Sequence, residues 1–119
     1  MVPTRRETGD EIVMRAQCPT HRLMGVIGDR WSVLVLIALH DGGETRTADL
    51  RRAVEGVSQK MLTQTLRRLQ DHDLVSRAVE ATVPVSVSYT LTDRGRGLCA
   101  ALAPLRAWAE THVDDLRRD

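Results

Sequence analysis

Residues 56 to 77 read GVSQKMLTQTLRRLQDHDLVSR, and the stretch they lead into, LVSRAVEATVPVSVSYTLT, alternates and is rich in Val and Thr. Together they leave few folds open: a helix with one apolar seam runs, with no linker, into a β-hairpin. Val57, Met61, Leu62, Leu66 and Leu69 recur at three- and four-residue steps, the spacing of one helix face. Ser58 suits the N-cap, and the helix is expected to run to about His72. Strands are expected near 74–81 and 85–91, with a turn around Pro84. Turning Leu62, Leu66 and Leu69 inward places Gln59, Lys60, Thr63, Gln64 and Arg67 on the outward face or its flanks. No acid interrupts residues 57 to 70, whereas a merely solvated helix face usually mixes both signs of charge.

The surrounding pattern extends this unit. Pro19 marks a helix start, because its missing N–H costs nothing there. A short helix carrying Leu23, Met24, Val26 and Ile27 reaches Gly28. RWSVLVLIALHDGG is read as a buried helix, since its length and closing Gly pair suit a helix better than a strand. An extended piece near Thr45–Arg46 precedes a short helix from about Thr47 to Gly56. Thr92 caps a long C-terminal helix in which Leu98, Leu102, Leu105, Ala109, His112 and Leu116 form a heptad-like seam. Pro104 removes the hydrogen bond to Ala100 within it. The fold class expected is mostly α with a small β-hairpin wing, a winged helix-turn-helix. Residues 1–15 are expected to form a flexible N-terminal segment and residues 16–119 a single domain with its C-terminal dimerisation helix.

Composition narrows the function. The 119 residues carry a net charge of only +1, but between Arg46 and Arg77 seven Arg and Lys face four acids, leaving the rest net negative. Screening limits each charge to roughly 8 Å at physiological salt, so a local patch can bind a polyanion without a basic pI. Aromatics make up 3% of the chain, too few for a base-stacking single-strand platform. The N-terminus lacks the apolar core of a secretory signal, and the run from Val33 to Leu39 is too short to span a bilayer. Cys18 and Cys99 cannot make a disulfide framework. A cytoplasmic protein with no membrane contact is expected. No Gly-rich phosphate loop or nucleophile motif is present, so enzyme chemistry and a cofactor are not expected.

In a winged-helix layout the second helix of the pair enters the DNA major groove, and the hairpin reaches along the backbone or minor groove. Arg and Lys donate to guanine, Gln pairs with adenine, and Thr serves a base edge or phosphate. The candidate DNA-binding set is Arg46, Ser58, Gln59, Lys60, Thr63, Gln64, Arg67, Arg77, Ser86 and Ser88. The plainer reading is a solvated amphipathic helix, and a competing class is a winged-helix module used for protein–protein assembly.

Several segments carry a family resemblance: SQKMLTQTLRRLQ with LVSR, the CP at 18–19, GDRWSVLVL, VPVSVSYTLT and GRGL with LRAWAETH. The chain resembles an HxlR-type winged-helix transcriptional regulator of the MarR-like group over about residues 16 to 112. The resemblance implies a homodimer binding a pseudo-palindromic operator in double-stranded DNA. Three departures stand out. Thr47 replaces a frequent aromatic, Asp73 stands where Gly usually ends the recognition helix, and the wing tip carries no cation. Asp73 must then take the left-handed position that Gly fills cheaply, or the turn differs. Wing contacts through Ser86 and Ser88 are expected to be neutral hydrogen bonds at best.

Cys18 sits at a helix N-terminus, where the positive end of the helix favours thiolate. The resemblance implies a redox-sensing position here, since family members that sense oxidants or electrophiles carry their reactive cysteine beside the same proline. The plainer reading is a small buried residue. Cys18 and His21 make half a metal site that no second cluster completes, so no metal is expected. A small-molecule or oxidant effector remains open. Leu23, Ile27, Leu98, Leu102, Leu105 and Trp108 are the candidate dimer interface, because the long C-terminal helix exceeds what one small domain covers.

Overall fold

A computed structural model describes residues 4–5, 12–13 and 15–115. Strands β1 (Thr4–Arg5) and β2 (Ile12–Val13) pair antiparallel near the N-terminus. Residues 1–3, 6–11 and 14 of the segment expected to be loose, and Leu116 of the seam, lie outside the described residues. Helices α1 (Pro19–Ile27) and α2 (Ser32–Gly42) follow, then β3 (Thr45–Arg46) and α3 (Thr47–Ala53). Helix α4 (Gln59–Asp71) leads into β4 (Val75–Glu80) and β5 (Ser86–Leu91), and α5 (Asp93–His112) closes the domain with one 3-10 turn. The sheet order is β3-β5-β4, all antiparallel, with Arg46 opposite Ser88 and Arg77 opposite Tyr89. This is the winged helix-turn-helix that the sequence pattern implies. Among the described residues no single helix is long and apolar enough to cross a membrane.

The core sits under α4. Leu62, Leu66 and Leu69 of its inner face are fully buried against Val35, Leu36 and Leu39 of α2, Leu50 of α3, and Val75 and Leu91 of the hairpin. Val35, Leu36 and Leu39 of α2 are thus spent inside the domain, which is why a β-branched run forms a helix here.

The end of α4 shows how local chemistry fixes the architecture. Asp73 has φ +58°, so it occupies the left-handed position that its sequence place required. Its N–H reaches the Gln70 carbonyl at 3.0 Å, and the Leu74 N–H reaches the Leu69 carbonyl at 2.9 Å. Those two bonds are the paired closure of a Schellman motif, and the buried Leu74 and Leu69 supply its apolar contact. The same turn anchors α5, because the Thr92 hydroxyl donates to the Asp73 carbonyl at 2.7 Å and the Thr92 N–H to Leu74 at 3.1 Å. Asp73→Gly removes the left-handed cost and should raise stability by about 0.5–1 kcal/mol. A higher urea midpoint at unchanged m-value is the expected reading.

A second device joins α1 to α2. Asp29 accepts from the N–H groups of Trp31 (3.1 Å) and Ser32 (3.2 Å), and from the Ser32 hydroxyl, so it caps α2 from outside. Arg68 of α4 closes the joint: its Nε donates to the Val26 carbonyl at 3.1 Å, and its guanidinium lies 3.0 Å from Asp29. Burial raises the Asp29 pKa, but the Ser32 hydroxyl, the Trp31 N–H and the Arg68 charge outweigh it and hold it below the ordinary value. A depressed carboxylate stabilises the fold above its unfolded pKa, about 3.9, and loses that contribution as pH falls through the folded value. The stability gap between the wild type and Asp29→Asn should therefore be constant above about pH 5 and shrink as pH falls below about 4. Urea titrations at stepped pH read this directly, and a gap still intact at pH ~3 would contradict the assignment.

Candidate nucleic-acid interface

Ser58 begins the interface as expected: its Oγ accepts from the Met61 N–H at 3.1 Å, capping α4 and leaving the first turn's other N–H groups facing out. Gln59, Lys60, Thr63, Gln64 and Arg67 are all exposed. Gln59 reaches only along its own helix, donating to the Thr63 hydroxyl at 3.4 Å. Lys60, Gln64 and Arg67 make no side-chain hydrogen bond or ion pair among the described residues. Arg46, at the N-cap of α3, and Arg77, on β4, are also exposed and share the sheet with Tyr89 and Ser88 of β5. The result is a projecting helix whose outer face carries hydrogen-bond donors and positive charge.

Other positions differ from the sequence reading. Ser88 is buried, 7% exposed, and donates to Glu44 Oε2 at 2.7 Å, so it ties the wing to the loop before β3 and leaves the contact set. Alternation along β5 puts Ser88 on the face opposite the core residues Tyr89 and Leu91, so its burial comes from the loop before β3 and not from the core. Ser86, two residues earlier and nearer the tip, is half-buried. The tip itself is apolar: Val83 is 101% exposed, Val85 and Val79 stand out beside it, and Thr82 spends its hydroxyl on the Pro84 carbonyl. Two polar residues of α4 also turn inward. Thr65 is buried, and Arg68 is committed to the α1–α2 joint, so part of the local positive charge is neutralised by Asp29. Arg68 is the structural residue that the sequence reading missed. Its place three residues beyond Thr65, beside the apolar seam, is the one hint.

The expected dimer set divides as well. Ile27 is 3% exposed inside its own domain's core, so it cannot reach a partner as it stands. It closes the end of α1 over that core. Leu23, Leu98 and Leu102 are half-buried on the core's edge. Leu105 (60%) and Trp108 (50%) are exposed, and Trp108 stacks on His112 at 4.7 Å. An apolar groove of about 530 Å³ runs between Val33, Leu34 and Ile37 of α2 and Leu102, Leu105 and Val113 of the C-terminal region. The contribution of α2 went unread because its periodicity is uniformly apolar and marks no outer face.

Cys18 occupies the N-cap of α1. The His21 backbone N–H beside the sulfur lowers its pKa, burial opposes this, and the Thr20 N–H and hydroxyl assist the lowering. The thiol is nonetheless only 6% exposed. Cys99 behaves oppositely: burial raises its pKa, with the Asp41 carboxylate adding to the effect, and its Sγ–H points at the Leu36 carbonyl at 3.6 Å. No cluster of three or more potential metal ligands occurs among the described residues.

The HxlR-like helix-turn-helix family matches residues 26–117, which include α2 to α5 and hence the helix pair, the wing and the groove. The chain belongs to the HxlR-like helix-turn-helix family. It is 37% identical over 100 residues to the HTH-type transcriptional regulator YtfH of Escherichia coli (strain K12), covering 84% of this chain and 79% of that one. It is 35% identical over 94 residues to the HTH-type transcriptional regulator YodB of Bacillus subtilis (strain 168), covering 78% and 83%. Among solved structures, the redox regulator HypR in its oxidized form superposes with a TM-score of 0.73 at 33% identity, covering 86% of this chain and 99% of that one. YodB has also been solved after diamide treatment, with a TM-score of 0.66 at 34% identity and coverage of 82% and 96%. HxlR-like proteins are transcriptional regulators rather than enzymes, and the layout of this chain is theirs.

Proposed function

We propose that this HxlR-like protein is a homodimer that binds a pseudo-palindromic operator in duplex DNA, with α4 in the major groove and α5 at the dimer interface. The observation that carries the reading is the outer face of α4 from Gln59 to Arg67: five exposed polar or cationic residues, with no acid before Asp71 at the helix's last position, and a capped N-terminus that offers N–H groups to phosphate. Arg46 and Arg77 add two exposed cations on the sheet. The apolar groove along α2 and α5, with Leu105 and Trp108 beside it, supports pairing with a second copy, since such a surface is costly to leave in water. Footprinting of the purified protein on the DNA upstream of its own gene tests the reading. Two protected half-sites about one helical turn apart, roughly 34 Å, are expected. The wing tip favours a second reading, a protein–protein assembly module, because Val79, Val83 and Val85 offer a phosphate backbone nothing. Uniform digestion of the footprinted DNA would put that reading ahead.

The same proposal extends to Cys18 as a thiol switch. Its lowered pKa favours the thiolate that oxidants and electrophiles attack, and the resemblance to HypR and YodB supports a redox role. The sulfur is buried, so attack requires the first turn of α1 to fray, and modification then keeps that turn from closing. Cys18→Ser retains the size and capping capacity; it should bind the operator normally and ignore diamide, while Cys99→Ser should still respond. A Cys18→Ser protein released from DNA by diamide as readily as the wild type would make Cys18 purely structural.

A further inference from the structure

The start of α2 is pinned to α4 at two points, one on either side of Arg30. Asp29 lies 3.0 Å from the Arg68 guanidinium. Trp31 reaches the other way: its ring edge is 3.7 Å from where a Cβ on Gly56 would stand, in the turn that leads to Ser58. Arg30, between those two residues, therefore lies alongside α4, between its entry turn and Arg68. Its side chain is exposed, and its guanidinium carbon sits 4.8 Å from the centroid of the Trp31 ring. The neighbouring carboxylate does not neutralise it, because Asp29 is committed to Ser32, the Trp31 N–H and Arg68. Arg30 itself has no ion pair or hydrogen bond among the described residues. A guanidinium resting on an indole face has already lost part of its freedom, so less is lost when it meets an anion.

We infer that Arg30 is a phosphate-binding residue of the operator complex, held in place by Trp31, and that it grips the DNA backbone beside the first turns of α4. The inference rests on the reading of α4 as the major-groove helix. That groove is about 12 Å wide and a helix with its side chains about 10–12 Å across, so α4 fills it. An element lying beside α4 then meets the sugar–phosphate strand along the groove's edge, and the exposed cation at the start of α2 is Arg30. The planar fork of guanidinium N–H groups matches phosphate oxygens, and stacking on a ring face leaves the outer edge of the fork free to donate. Trp31 packs against the core, so the guanidinium it holds stays at the helix flank and does not reach the base edges. Phosphate contacts fix register without reading sequence. Arg30 thus orients α4, an anchoring role that the apolar wing tip does not supply. It lies outside the stretch from Arg46 to Arg77 where the sequence concentrates positive charge, so nothing local marks it.

Anisotropy titration of the full chain against its upstream duplex and a random duplex, across a salt series, tests the contact. Arg30→Gln should weaken binding to both by the same factor, about ten-fold or more. The salt slope of the dimer should fall by about 2, because each subunit loses one phosphate contact. The urea midpoint should stay close to that of the wild type. Arg94→Gln, which removes the same charge from the exposed first turn of α5, should change neither affinity nor slope. Arg30→Lys keeps the charge but loses the flat fork, so it should recover the slope and only part of the affinity. Ethylation interference locates the contact: one phosphate in each half-site should block the wild type when ethylated and have no effect on Arg30→Gln. Indifference to Arg30→Gln, a loss confined to the upstream duplex, or an ethylation pattern shared by wild type and variant overturns the phosphate contact. Arg30→Lys that matches the wild type overturns the part assigned to the Trp31 stack. Each of these failures leaves the reading of α4 standing, whereas a wild type that binds neither duplex overturns that reading and the contact with it.

Discussion

Lys60→Ala and Arg67→Ala should each weaken operator binding by ~1–3 kcal/mol while leaving the thermal midpoint nearly unchanged. Both side chains are exposed and make no hydrogen bond or ion pair among the described residues, so their removal leaves no cavity and orphans none of those residues. Leu62→Ala and Leu66→Ala, on the other side of the same helix, should instead cost ~2–5 kcal/mol of stability. Those leucines are 0% and 1% exposed, and the close-packed neighbours from α2 cannot collapse into the space left behind. Anisotropy titration with labelled operator, set beside urea denaturation of each variant, separates the two effects. Polar substitutions that unfold the protein, with leucine substitutions that spare it, would mean the helix faces are assigned the wrong way round.

Gly95→Ala should destabilise by about 3 kcal/mol, through a backbone clash rather than a lost contact. A Cβ at this position would stand 2.1 Å from the Leu74 carbonyl oxygen, which is backbone and cannot rotate away. The start of α5 would have to lift off the Schellman turn, breaking the bonds from Thr92 to Asp73 and Leu74. Gly97→Ala, two residues along the same helix, is the control of opposite sign. Nothing lies within 4 Å of its added Cβ, so the gain in helix propensity, up to about 1 kcal/mol, should prevail. Denaturant midpoints of the two variants should therefore move in opposite directions. Equal losses would point to a general intolerance of α5 rather than to the close approach at Gly95.

Wherever a local rule determines structure, the sequence was legible. Ser58 and Thr92 are N-caps as read, each accepting a backbone N–H, from Met61 and Gly95 respectively. The two wing strands fall within a residue or so of their expected places, and Asp73 has the positive φ that its departure from Gly demanded. These features depend on residues close together in the chain. Arg68, Ser88 and Ile27 depend on partners far away. Arg68 reads as one more cation on a basic helix until α1 brings Val26 and Asp29 to it. Ser88 looks like a wing hydroxyl until Glu44 arrives across the sheet. Ile27 shares its spacing with Leu23, and only the docking angle of α1 decides which of them the core takes. The apolar character of the wing tip was readable in VPV, but its degree of exposure belongs to the folded hairpin.

The most direct test of the DNA-binding claim is the affinity of the wild-type protein for its upstream duplex at 50 and 200 mM salt, read by fluorescence anisotropy. Arg46, Lys60, Arg67 and Arg77 give eight exposed cations in a dimer, and contacts in that number release enough counterions to cost on the order of 10³-fold or more over this range. A linear fall of log K with log salt at a stoichiometry of two chains per duplex is the predicted result. Binding that is undetectable at both concentrations, or that ignores salt, would contradict it and leave α4 as a surface for another protein.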